Sequence, residues 1–176
     1  MKKLILSITI MFLFANTGKL FSQDPALAYD LGEIDKTVNK LYTNLTFKKG
    51  QSPMLAKLND IFYGDGLLIN NSDDNPKEFT LKEFSDVING QYKSGKVQAF
   101  KENGLSSKVE LFGKVAHCLS TYESGYILAG REEYIMNRGI NSIQLIKANG
   151  KWLIVSVIWY KENEEFKIPD KYLEKK

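Results

Sequence analysis

Over residues 27–45 the apolar side chains Leu27, Leu31, Ile34, Val38, Leu41, Tyr42 and Leu45 recur at steps of three and four. That spacing is the stripe of one amphipathic helix. Gly50-Gln51-Ser52-Pro53 interrupts it, and the pattern then predicts a short second helix over 53–60, capped by Ser52 with proline at its first position. Residues 61–70 carry Phe62, Tyr63, Leu67, Leu68 and Ile69 around Gly64-Asp65-Gly66, which reads as a turn into a first strand. A polar loop follows over 70–76. Thr80 then caps a third helix reaching to about residue 92, with Glu83 in the capping-box position.

Beyond that point the period changes to two. Segments 96–101, 108–112, 115–122, 134–147 and 151–160 read as strands separated by glycine-containing turns. The last two meet at Asn149-Gly150, residues suited to the positive φ angles of a tight hairpin. The final strand is apolar at nearly every position, so it is expected mid-sheet with both faces covered. Helices first and an antiparallel meander after them predict an α+β domain: a cone-shaped, curved antiparallel sheet packed against about three N-terminal helices. Such a cone encloses an apolar interior suited to a ligand.

The first 22 residues stand apart. Lys2 and Lys3 precede an almost uncharged apolar run over 4–15, small residues follow, and Ser22 fits a cleavage position. This is the pattern of a signal peptide. The run is shorter than the roughly 20 residues a membrane span needs. Residues 23–176 are therefore expected to form a single domain, exported to the periplasm or beyond and soluble once the leader is removed, with a short polar tail from about residue 162. No stable membrane insertion is expected afterwards. The lone Cys118 excludes an internal disulfide framework and reads as a small buried residue.

Charge changes with the leader. The whole chain carries 24 Lys and Arg against 21 Asp and Glu. Loss of Lys2, Lys3 and Lys19 would leave 21 against 21, so no global positive field remains to recruit nucleic acid.

The chain resembles the nuclear transport factor 2-like superfamily, which includes SnoaL-like polyketide cyclases and ketosteroid isomerases. The resemblance rests on the long first helix, on residues 62–69, on Phe112-Gly113-Lys114-Val115-Ala116 at a strand turn, and on the closing hairpin with Asn149-Gly150-Lys151-Trp152 and Ile154-Val155-Ser156. It covers about residues 28–161. Further segments, among them Ala116-His117, 120–123, 138–145 and Ile168-Pro169, resemble an exported bacterial branch. The resemblance implies a cystatin-like roll, a pocket and a homodimer.

An isomerase of that kind needs a carboxylate base near the end of the first strand and acidic donors for the developing enolate. Overlaying the strand patterns puts Asn70 at the place of the base and Ser142 at the place of the acidic donor; both depart from the pattern. Tyr42 could stand for a phenolic donor, although it also fits the core stripe of its helix. His117, the only histidine, is the remaining candidate for a general base, against the simpler reading of a core histidine satisfied by one hydrogen bond. Ser142 and Gln144 share a strand face. With Trp159 pointing inward beside Leu153, Val155 and Val157, they are expected to wall one cavity. Arg138 could hold an anionic group at its mouth, or lie on the surface. No Gly-rich phosphate loop, zinc pattern or serine elbow is present, so neither a cofactor nor a metal is expected.

Three readings follow. The preferred one is an exported small-molecule-binding domain for a small, partly apolar ligand, lined by Tyr42, Asn70, Arg138, Ser142, Gln144 and Trp159. The second is a cofactor-independent lyase, cyclase or isomerase using His117. The third is a dimeric structural module with a filled cone, which a cavity below roughly 100 Å³ would favour.

Overall fold

The computed structural model describes residues 24–173; the leader expected over 1–22 lies outside them. Helix α1 (Pro25–Leu45) starts on Asp24, whose side chain accepts from the Ala26 amide at 2.9 Å, with proline at its first position. Its first turn is exposed. From Ile34 onward it buries Ile34, Val38, Leu41, Tyr42 and Leu45. A 3-10 turn (Leu55–Asp60) follows in place of the second helix. It begins at Met54 without a side-chain cap, so Ser52 does not cap it. Helix α2 (Leu81–Lys93) carries the expected capping box: the Thr80 hydroxyl accepts from the Glu83 amide, and the Glu83 carboxylate accepts from the Thr80 amide.

Six strands form one curved, unclosed sheet: β1 (Phe62–Asn70), β2 (Lys77–Phe79), β3 (Val97–Phe112), β4 (Val115–Leu128), β5 (Ile135–Ala148) and β6 (Lys151–Lys161). Their order is β2-β1-β6-β5-β4-β3. The architecture is α+β, and every pairing is antiparallel except β1 with β6, which is parallel. A parallel pair needs a long crossover, and here α2 and the meander supply it. The final strand is thus mid-sheet, although Ile158 on its outer side stays 38% exposed. The turn between β5 and β6 is the expected one, with φ of 50° at Asn149 and 75° at Gly150.

Three differences from the period-two reading matter. Segments 96–101 and 108–112 are one 16-residue strand, β3, whose pairing shifts between Gly104 and Ser106. The polar loop after β1 ends in a short edge strand, β2. In β6, Gln144 pairs with Ser156 but Leu145 with Ile154, which leaves Val155 as an extra residue. A bulge of this kind reverses the alternation of faces. Trp152 and Ile154 are therefore buried before it, and Val157 after it.

The core lies between α1 and the inner face of the sheet, where Ile34, Val38 and Leu41 meet Cys118, Ile143, Leu145 and Ile154. The Thr37 hydroxyl donates to the Trp152 carbonyl at 3.2 Å. Asp30 accepts from both Lys147 (2.6 Å) and the Trp152 indole (3.0 Å), fastening the helix to the closing hairpin. The Lys147 bond, then the indole bond, hold the Asp30 carboxyl below its ordinary pKa. Residues 162–173 are not a free tail. They return across the sheet, where the Tyr172 carbonyl accepts from the hydroxyls of Ser106 and Thr121, and Phe166 packs edge-on against Tyr160. Among the described residues no helix is long and apolar enough to cross a membrane.

Candidate functional site

Toward α2 the packing stops short of closure. A cavity of about 310 Å³ remains between α1, α2 and the inner face of the sheet. Leu41 and Leu45 come from α1, Phe84 and Ile88 from α2, and Leu68, Phe100, Tyr122, Val157 and Trp159 from the strands. Trp159 is held edge-on by Phe84 at 6.1 Å, and Phe84 in turn by Phe79 at 6.2 Å. At the mouth stand Asn70, Ser72, Asp73 and Lys161, with Asp73 paired to Lys77 at 2.9 Å. A second cavity of about 360 Å³ lies beside the first under α2 and shares Ile88, Phe100 and Tyr126 with it.

The polar end of the first cavity is a connected network. Asn141 on β5 donates through its amide to the Tyr42 hydroxyl at 3.2 Å and lines the same cavity wall as the Glu102 carboxylate. The Tyr42 hydroxyl in turn donates to the Ser120 hydroxyl at 2.7 Å. Each of these residues comes from a different element: α1, β3, β4 and β5. Burial pushes the Glu102 carboxyl up to about 7, with the Asn141 amide opposing. Burial and the neighbouring Glu102 charge raise Tyr42 and Tyr122 as well, so both remain protonated donors at neutral pH. Among the described residues no lysine or arginine forms an ion pair with Glu102.

The residues singled out from sequence divide into two groups. Asn70 and Trp159 line the cavity, and Tyr42 closes its polar end. Asn70 pairs with Trp159 and Trp159 with Asn141 across three neighbouring strands, so these three share a face. Asn70 also accepts from the Ser72 amide at 3.0 Å, which orients its side chain. Ser142 and Gln144 alternate with Asn141 and Ile143 and so point to the other side of the sheet. His117 lies there too, because Ala116, Cys118 and Tyr122 of its strand face the core. On that outer side His117 Nε2 meets the Ser142 hydroxyl at 3.0 Å. Arg138 is ion-paired with Glu162 at 3.0 Å, away from the cavity lining. Cys118 is buried, and desolvation pushes its thiol up to about 12, so it carries no thiolate chemistry.

No family model matches the chain, and no curated protein matches it by sequence. Solved structures do. A nuclear transport factor 2-like protein from Salmonella enterica superposes with a TM-score of 0.63 at 12% identity, over 78% of this chain and 94% of that one. A cystatin-like protein from Nostoc punctiforme gives 0.55 at 15% identity, over 78% and 94%. A type 2 hexachlorocyclohexane dehydrochlorinase gives 0.60 at 9% identity, over 77% and 87%. The fold is nuclear transport factor 2-like.

Within this nuclear transport factor 2-like frame, the acid at the cavity is one that strand reading passed over. The expected strand stopped at Lys101, one residue before Glu102. Glu102 shares the face of Phe100, so carrying the alternation one step further would have found an acid on an apolar face. Asn141 stood beside Ser142 in the same segment. Choosing between them required the β6 bulge, which has no local signature. Gly139 carries a further signal: a Cβ there would lie 2.5 Å from the Tyr122 hydroxyl and 2.5 Å from the Tyr160 carbonyl. Only glycine lets the Tyr122 phenol cross β5 at this point.

Proposed function

We propose that the chain is a small-molecule-binding domain of the SnoaL-like type, exported after loss of its leader, whose cavity takes a small, partly apolar ligand. The observation that carries this reading is the cavity itself. Its 310 Å³ lies at the lower end of the usual range for ligand sites, with apolar walls and a few convergent polar groups at one end. That volume weighs against a filled cone. Native mass spectrometry of the protein from its own host, looking for a co-purifying small molecule, tests the reading. Apo protein in every charge state, together with no perturbation of Trp159 fluorescence by a small apolar library, would overturn it.

A second reading is favoured by one feature. A carboxyl raised to about 7 and facing an apolar cavity suits proton transfer, and the dehydrochlorinase named above is an enzyme on the same fold. In this reading Glu102, on the cavity side, replaces His117 as the base of a cofactor-independent lyase or isomerase. Glu102→Gln would then abolish turnover while ligand affinity persists. A homodimer is also proposed, through the outer face of the sheet where Val115 and Ile158 are exposed; sedimentation velocity measures it.

A further inference from the structure

We infer that the cavity selects a small aromatic or aliphatic amine, bound as its ammonium ion against the Glu102 carboxylate. This rests on the cavity being a ligand site and names the ligand's chemistry. The Glu102 carboxylate lines the cavity beside the Asn141 amide and forms no ion pair with any lysine or arginine among the described residues. A half-buried carboxylate without a counter-charge is unfavourable, and a cationic ligand supplies the missing charge. The remaining walls fit the same guest. Phe84, Phe100, Tyr122, Tyr126 and Trp159 line the cavity, and aromatic faces attract a desolvated cation. An anionic ligand would meet Glu102 with the wrong sign. A neutral one could donate a hydrogen bond to the carboxylate but would bring no counter-charge.

The groups around Glu102 leave its charge available to a ligand. From α1 comes the Tyr42 phenol, and from β4 come Tyr122 and Tyr126. From β5 come the neutral amides Asn137 and Asn141, and from α2 only Phe84 and Ile88. Lys161 and Asp73 stand at the mouth. Asp73 is occupied by Lys77, and the Lys161 charge bears on Asp73. Binding an ammonium requires ionised Glu102, so affinity should rise with pH through the carboxyl's own titration near 7. It should then level off until the amine itself loses its proton.

The test uses the full mature chain and three near-isosteric probes: 2-phenylethylamine, 2-phenylethanol and 3-phenylpropionate. Trp159 fluorescence or amide chemical shifts report occupancy. The amine is expected to bind at least tenfold more tightly than the alcohol at pH 8, and about tenfold more weakly at pH 6 than at pH 8, with the alcohol unchanged. Glu102→Gln should bring amine and alcohol to equal affinity. Equal binding of amine and alcohol by the unaltered protein at both pH values would overturn the inference and leave the binding reading intact. Failure of all three probes to perturb the cavity would overturn both. The pH series needs no substitution, so a variant that fails to fold does not protect the claim.

Discussion

The two helices look alike in sequence and do different work. Both are amphipathic and both begin on a capped turn. Yet α1 buries seven residues and α2 buries only Leu81. The inward side chains of α1 as far as Val38 meet other side chains, only Leu41 and Leu45 near its end reach the cavity, and the Asp30–Lys147–Trp152 cluster ties its first half to the closing hairpin. The inward side chains of α2, Phe84 and Ile88, meet cavities instead. An apolar stripe states that a helix will cover something. Whether it covers core or void depends on what the sheet presents beneath it, and beneath α2 the sheet leaves two cavities.

The sharpest way to break this contrast is to truncate equivalent inward residues on each helix. Ile34→Ala, at a fully buried position, should cost about 3–4 kcal/mol in urea unfolding. Phe84→Ala should cost only about 1 kcal/mol, because its ring already borders empty space, while weakening cavity binding several-fold. Equal losses would mean that α2 is core after all.

A second prediction concerns the polar end that α1 shares with the sheet. A carboxyl with a raised folded-state pKa binds its proton more tightly in the native than in the unfolded chain. Its contribution is therefore most favourable below about pH 4.5 and is lost as pH rises toward 7. Glu102→Gln should remove that slope and stabilise the protein at pH 8 by on the order of 2 kcal/mol. Denaturant midpoints at pH 5 and pH 8 measure it, and an unchanged slope would contradict a half-buried, charge-isolated Glu102. Gly139→Ala should cost about 2 kcal/mol by driving a methyl group into Tyr122 and the Tyr160 carbonyl; thermal melting reads it. Smallest is Thr80→Ala, which removes the capping box and should cost about 1 kcal/mol. Hydrogen exchange should then quicken in α2 before α1.

Much of the fold was legible. The α1 stripe, the Thr80–Glu83 cap and the Asn149-Gly150 turn are set by neighbours within a few residues, and each stands where the pattern puts it. Of the residues singled out from the sequence, Asn70 and Trp159 line the cavity and Tyr42 stands at its polar end, whereas Glu102 and Asn141 were not singled out. Ser142, Gln144 and His117 were grouped with the cavity by alternation and lie across the sheet from it. One extra residue at Val155 separates the two outcomes.

By itself, the sequence determined the kind and order of the elements, because propensity, capping and period are local properties of the chain. Only the tertiary structure decided which face of each strand met the helices, where packing ran out, and that Glu102, Asn141, Tyr42 and Ser120 would meet. Those outcomes depend on register between segments up to about a hundred residues apart. A single bulge, indistinguishable in sequence from ordinary strand, inverts every side chain beyond it.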